Sequence, residues 1–150
     1  MQATKELITE ESFLDAIYKN VKMGADSIIN LLPKVKDDSL RSMMTLQLDG
    51  YEKYATRAEE ALAAAGVAAK EESIVARVSA RMGMAFNTMI DSTTSHIAEM
   101  MIEGSNMGVT DLLKLLNNFD TCGEDSEAVR LAREILRFEE RNLEMLKPYL

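Results

Sequence analysis

The chain has 150 residues, a formal net charge of −8, 47% hydrophobic and 5% aromatic residues, and no tryptophan. That length makes one domain with a sizeable core, and the wealth of Ala, Leu, Met, Glu and Lys favours an all-helical fold. The acidic balance argues against nucleic acid and anionic membrane as partners, while the single Cys122 excludes internal disulfides and a multi-cysteine zinc finger.

A first helix is predicted over residues 10–32, opened by Thr9 as a capping hydroxyl with Glu10 and Glu11 behind it. Leu14, Ile17, Val21, Ala25, Ile28 and Leu32 recur at steps of three or four and form its inner stripe, and Pro33 stops it. A tight link offers Asp37, Asp38 or Ser39 as the next cap. The second helix, 38–65, carries Leu40, Met44, Gln47, Tyr51, Tyr54, Ala58 and Leu62 inward and ends at Gly66. Met43, Leu46 and Leu48 fall outside that stripe and offer a strip for self-association, so a homo-oligomer is expected.

The pattern weakens over 67–86, where Ile74, Val75 and Val78 suit a brief helix and Gly83 a bend. This stretch reads as a long crossover; one continuous helix over 72–118 is the alternative. The third helix is expected over 87–118, with Met89, Ser92 or Thr93, His96, Met100, Glu103 and Met107 inward. The turn formers from Asn117 to Gly123 mark a loop. A fourth helix over 124–147 starts on Glu124, Asp125 and Glu127. It sets Ala128, Leu131, Ile135, Phe138 or Glu139, Asn142, Leu146 and Tyr149 inward, and Pro148 closes it. Four such helices with short, long and short links give an all-α four-helix bundle of two antiparallel hairpins joined by a crossover, in a single domain over 1–150. No apolar run nears the roughly 20 residues of a membrane span, and the N-terminus lacks the form of a signal peptide. A cytoplasmic protein is expected.

The chemistry centres on residues 96–108, where a histidine and a glutamate interrupt a Met-rich apolar stripe. A carboxylate-bridged dimetal site in a bundle needs one Glu from each of two helices and a Glu-x-x-His pair from each of the others. Glu139 is followed three residues on by Asn142 instead of histidine, Glu103 supplies the third helix, and the second carries Gln47, Tyr51 and Tyr54 on its stripe, with Gly50 three past Gln47. Two of six ligands are present. A reduced site of His96, Glu99, Glu103 and Glu139 is the metal-binding reading, because a transition metal accepts such nitrogen and oxygen donors. The preferred reading makes His96 a core-edge residue hydrogen-bonded to a neighbour. Glu103 facing Glu139 would then set two like charges together, and one would keep its proton or find an amide such as Asn142 or Gln47. The eleven methionines fall mainly at core spacing, where methionine fills gaps. Gly24, Gly104 and Gly108 read as points of close helix approach. Arg133, Arg137 and Arg141 form a solvated ladder with Glu134, Glu140 and Glu144, and Cys122 has no basic neighbour that would activate it.

Three segments carry a resemblance: Ser-His-Ile-Ala-Glu-Met-Met-Ile-Glu-Gly-Ser-Asn-Met-Gly (95–108), Leu-Asp-Gly-Tyr-Glu-Lys-Tyr-Ala (48–55) and Arg-Phe-Glu-Glu-Arg-Asn-Leu-Glu-Met-Leu (137–146). The chain resembles small bacterial proteins of uncharacterised role in the ferritin-like superfamily, distant relatives of rubrerythrins. That resemblance implies a ferritin-like bundle and, in metal-bearing members, oxygen, peroxide or ferrous-iron chemistry. Carried over residue by residue, it reaches Glu103 and Glu139, while Asn142 departs from the expected histidine. The leading expectation is therefore a non-catalytic bundle that is structural or binds a partner, with no cofactor. The alternative is an iron- or manganese-binding protein with oxidase, peroxide-handling or iron-sequestering activity.

Overall fold

The computed structural model describes residues 9–67, 91–119 and 126–150. Among these the chain is all-helical and forms a four-helix bundle: α1 (Glu10–Leu31), α2 (Asp38–Ala64), α3 (Thr94–Asn118) and α4 (Glu127–Leu146). Short 3-10 turns at Leu32–Lys34 and Lys147–Tyr149 each contain a proline, whose ring ends the preceding helix.

Each helix begins on a side chain that accepts an otherwise orphaned backbone N–H. Thr9 accepts from Ser12 N at 3.1 Å, Asp37 from Leu40 N at 2.8 Å, Thr93 from His96 N at 3.3 Å and Ser126 from Val129 N at 3.2 Å. The end of α2 is a Schellman turn. Gly66 takes φ +78°, its N–H donates to Ala63 O, and Val67 N–H reaches back to Leu62 O at 2.9 Å.

The expected second helix is thus found within a residue at its C-terminal end, and α1 ends one residue early. The third helix departs from expectation. It begins at Thr94, because Asp91–Thr93 are non-helical and Asp91 Oδ1 accepts from Thr93 N at 2.9 Å; the expected residues 87–90 lie outside the described ones. A run of short polar side chains competes for backbone N–H groups in this way and breaks the helix. The same break rules out one continuous helix over 72–118. The crossover itself, with Ile74, Val75, Val78 and Gly83, lies outside the described residues apart from Val67, as do Met89 of the expected third helix, Cys122, Glu124 and Asp125. Helix α4 is capped by Ser126 and begins at Glu127, three residues after its expected start.

The inward face of α3 is also rolled from the expected one. Ile97, Ala98, Met101, Ser105 and Leu112 are buried, whereas Glu103 is exposed and Met107 is 62% exposed. Two stripes one residue apart compete on this helix. The roll that buries Ile97, Met101 and Leu112 keeps a carboxylate in water, and desolvating a charge costs more than exposing a thioether. On α2, Met43 is buried beside Met44 and Leu48 is half-buried, so only Leu46 of the expected association strip stands exposed.

Helix α1 packs most extensively on α2, and α3 on α4; α1 also runs against α3, and α2 meets α4. Phe13, Ile17, Ile28, Leu31, Leu40, Met44, Leu62, Ile97, Leu112, Ile135 and Leu146 are fully buried, and Phe13 stacks on Phe119 with ring centroids 4.4 Å apart. No described helix is long and apolar enough to cross a membrane.

Candidate functional site

Midway along the bundle the apolar core gives way to polar side chains. Asn20 on α1, Gln47 on α2, Ser105 on α3 and Glu139 and Asn142 on α4 are all buried, together with Tyr51 of α2. Helical spacing brings them there. Ile135, Glu139, Asn142 and Leu146 follow one another at steps of four and three on one face of α4, so an acid and an amide occupy positions that aliphatic residues hold on either side. On α2 the steps of four from Met43 to Gln47 and Tyr51 do the same.

Glu139 is the centre of this layer, with 2% of its surface exposed. The Tyr51 hydroxyl donates to its Oε1 at 3.3 Å, long for a bond between oxygens, and Oε2 has no hydrogen-bond partner. Burial pushes the Glu139 carboxyl from 4.5 up to about 8; the bond from Tyr51 pulls the other way, and the Asp111 carboxylate adds to the rise. Glu139 therefore holds a proton at neutral pH. Burial and then the nearby Glu139 charge raise the Tyr51 phenol above its ordinary value, against the opposing Asn142 and Ser105 side chains.

Glycine makes room for these groups. A Cβ on Gly24 would strike the Tyr51 ring, and one on Gly108 would strike the Glu139 carboxyl. Across the layer, Phe138 meets Tyr51 edge-on at 4.9 Å and Tyr54 at 5.2 Å. Asn20 Nδ2 donates to the Gly108 carbonyl at 3.1 Å, joining α1 to α3, while its Oδ1 is buried without a donor. Gln47 Nε2 reaches the Met43 sulfur at 3.3 Å, leaving Gln47 Oε1 unpartnered, and Asn142 Nδ2 is unpartnered as well.

Between α1 and α3 a cleft of about 160 Å³ opens onto this layer. Its walls are largely methionine and glycine, namely Met23, Met100, Met101, Gly24 and Gly104, with Tyr51 and Glu139 reached through the gap and Asp111 beside them. A Cβ on Gly104 would meet open space. A second, larger groove on the outside of the bundle runs along Tyr54, Glu134, Arg137, Glu140, Arg141 and Glu144. There the expected arginine ladder is exposed, with Arg57 bound to Glu134 at 2.6 Å and lying 5.6 Å over the Tyr54 ring.

The four residues expected at a reduced metal site are not brought together. His96 sits at the start of α3, half-exposed, its Nδ1 3.8 Å from Glu99 Oε2. Glu103 points to solvent and does not face Glu139, whose carboxylate neighbour is Asp111. Among the described residues no three His, Cys, Asp or Glu side chains converge as a metal would require. Asn142 does lie beside Glu139 in the buried layer, and Gln47 and Tyr51 face inward as their spacing implied. Asn20, Ser105 and Asp111 had no place in that reading. Asn20 falls three after Ile17 and four before Gly24, a polar residue within an apolar period, and that was the available signal. Compared with protein-family models, curated proteins and solved structures, the chain has no match.

Proposed function

We propose that this chain is a ferritin-like bundle of two antiparallel hairpins that binds a small ligand without transforming it, the cleft between α1 and α3 being the receptor. The observation that carries this reading is Glu139, a carboxyl buried in the core with one oxygen unpartnered at the base of an open 160 Å³ space. A buried polar group without a partner costs about 1–3 kcal/mol, which a ligand that hydrogen-bonds to it would recover. The cleft is framed as small-molecule sites are, with apolar walls and a few converging polar groups. The separation of His96, Glu99 and Glu103 from Glu139 supports binding over oxidase or peroxide chemistry.

Amide NMR spectra of the full chain, titrated with benzene-sized compounds, test the reading. Shifts are expected to concentrate at Gly104, Ser105 and Gly108 and to vanish in a Gly104→Leu variant, whose side chain enters the open space. Shifts that fall elsewhere, or that persist in the variant, contradict it. The rival is an iron or manganese ion on Glu139, favoured by the same unpartnered oxygen, a hard donor. Metal analysis of protein purified without chelator separates the two, near-stoichiometric iron or manganese overturning the binding-protein reading.

A further inference from the structure

We propose that the cleft takes a small primary ammonium with an apolar body about the size of a benzene ring, its cation lodged against Glu139 with Asp111 beside it. This rests on the cleft being a ligand site and names what that ligand is. The unmet groups of the walls are acceptors. Because Asn20 Nδ2 donates to the Gly108 carbonyl, the amide orientation is set and Oδ1 is what remains, buried without a donor; Glu139 Oε2, also buried and unpartnered, becomes a second unmet acceptor when the carboxyl ionises. The Tyr51 proton is committed to Glu139 Oε1. A hydroxyl brings one donor to such a wall, an ammonium brings three.

Charge points the same way. Two carboxyls, Glu139 and Asp111, line the cleft, and none of its lining residues is a lysine, arginine or histidine. They are close enough for Asp111 to oppose ionisation of Glu139, and a cation between them offsets that opposition and favours the carboxylate, as a neutral ligand does not. The remaining wall suits an apolar body. Met23, Met100 and Met101 are polarisable and adaptable, the Tyr51 ring can face a cation, and the volume matches a cavity known to hold benzene. Tyr51 from α2 and Asp111 from α3 are the titratable groups facing Glu139, and α1 contributes the neutral Asn20. When the ammonium meets the protonated acid, that proton leaves to solvent and an ammonium–carboxylate pair remains.

The full chain is titrated at neutral pH with benzylamine, benzyl alcohol and toluene, and Kd is read from amide shifts. Benzylamine is expected to bind about tenfold or more tighter than benzyl alcohol, the gap between a charge-assisted and a neutral hydrogen bond, with toluene weakest. Glu139→Gln, equal in size and without the charge, should bring benzylamine down to the affinity of the alcohol. Asp111→Asn, a change at an exposed position that leaves the core untouched, should weaken benzylamine and spare the alcohol. Equal binding of amine and alcohol, or a preference for the amine that survives both substitutions, overturns the ammonium assignment and leaves the cleft a site for another ligand class. Binding of none of the three overturns the ligand-site reading with it.

Discussion

The outer face of α3 and the inner face of α4 carry the same side chain in opposite surroundings. Glu103 projects into water, as does Glu99 beside His96, and these acids keep a helix surface solvated. Glu139 occupies the step between Ile135 and Asn142, in the core, with a single long hydrogen bond and a proton retained near neutrality. The difference shows how bundle packing treats an acid on an apolar stripe. Where a second stripe one residue away can be buried instead, as on α3, the helix rolls and the acid leaves the core. Where rolling would expose Ile135, Leu131 and Leu146, as on α4, the acid stays and its ionisation is suppressed.

Substitutions sharpen that contrast in descending order of effect. Leu112→Ala, on the buried stripe that displaced Glu103, should cost about 2–5 kcal/mol in urea unfolding, through lost burial and the cavity left behind. A loss below 1 kcal/mol would mean that the other face of α3 supplies the core.

The proton on Glu139 makes the next prediction. Its folded value near 8 lies above the ordinary 4.5, so the folded state holds the proton more tightly than the unfolded chain. The stability that follows is fully present below about pH 4.5 and is lost as pH rises toward and through 8, at up to about 1.4 kcal/mol per pH unit. Parent and Glu139→Gln unfolding curves measured across that window should diverge, the variant becoming the more stable at pH 9. Parallel curves would put Glu139 in contact with water.

Two glycines of the same cleft separate crowding from open space. Gly24→Ala drives a methyl into the Tyr51 ring and should cost about 1–3 kcal/mol. Gly104→Ala meets nothing and should gain up to about 1 kcal/mol in helix propensity. Melting temperatures moving in opposite directions check this pair. Smallest of all, Glu103→Ala should leave stability within about 0.5 kcal/mol of the parent, as surface changes do; a large loss would restore Glu103 to the interior.

Much of the bundle was legible from residue spacing. The stripe from Leu14 to Ile28, the caps at Thr9 and Asp37, and the stops at Pro33 and Gly66 are local features, set by chemistry within one or two helical turns. The start of α3 was obscured because Asp91, Ser92 and Thr93 form a break that apolar periodicity runs straight through. Its roll was obscured because His96–Met100–Glu103–Met107 and Ile97–Met101–Ser105–Leu112 have the same period, and only the partners α1 and α4 choose between them. At the site, Glu139, Asn142, Gln47 and Tyr51 stood out as polar residues on buried stripes. The joining of Asn20 to Gly108, 88 residues away, and the nearness of Asp111 to Glu139 depend on tertiary packing and leave no trace in spacing.

The ionisation of Glu139 tests the account most directly. Carbon-13 labelling of glutamate carboxyls, with Glu139 assigned through the Glu139→Gln spectrum, gives its titration midpoint in the intact protein. A midpoint near 8 is predicted, with the carboxyl protonated at neutral pH. A midpoint at the ordinary 4.5 would contradict it, placing this side chain in water and removing the polar base of the cleft.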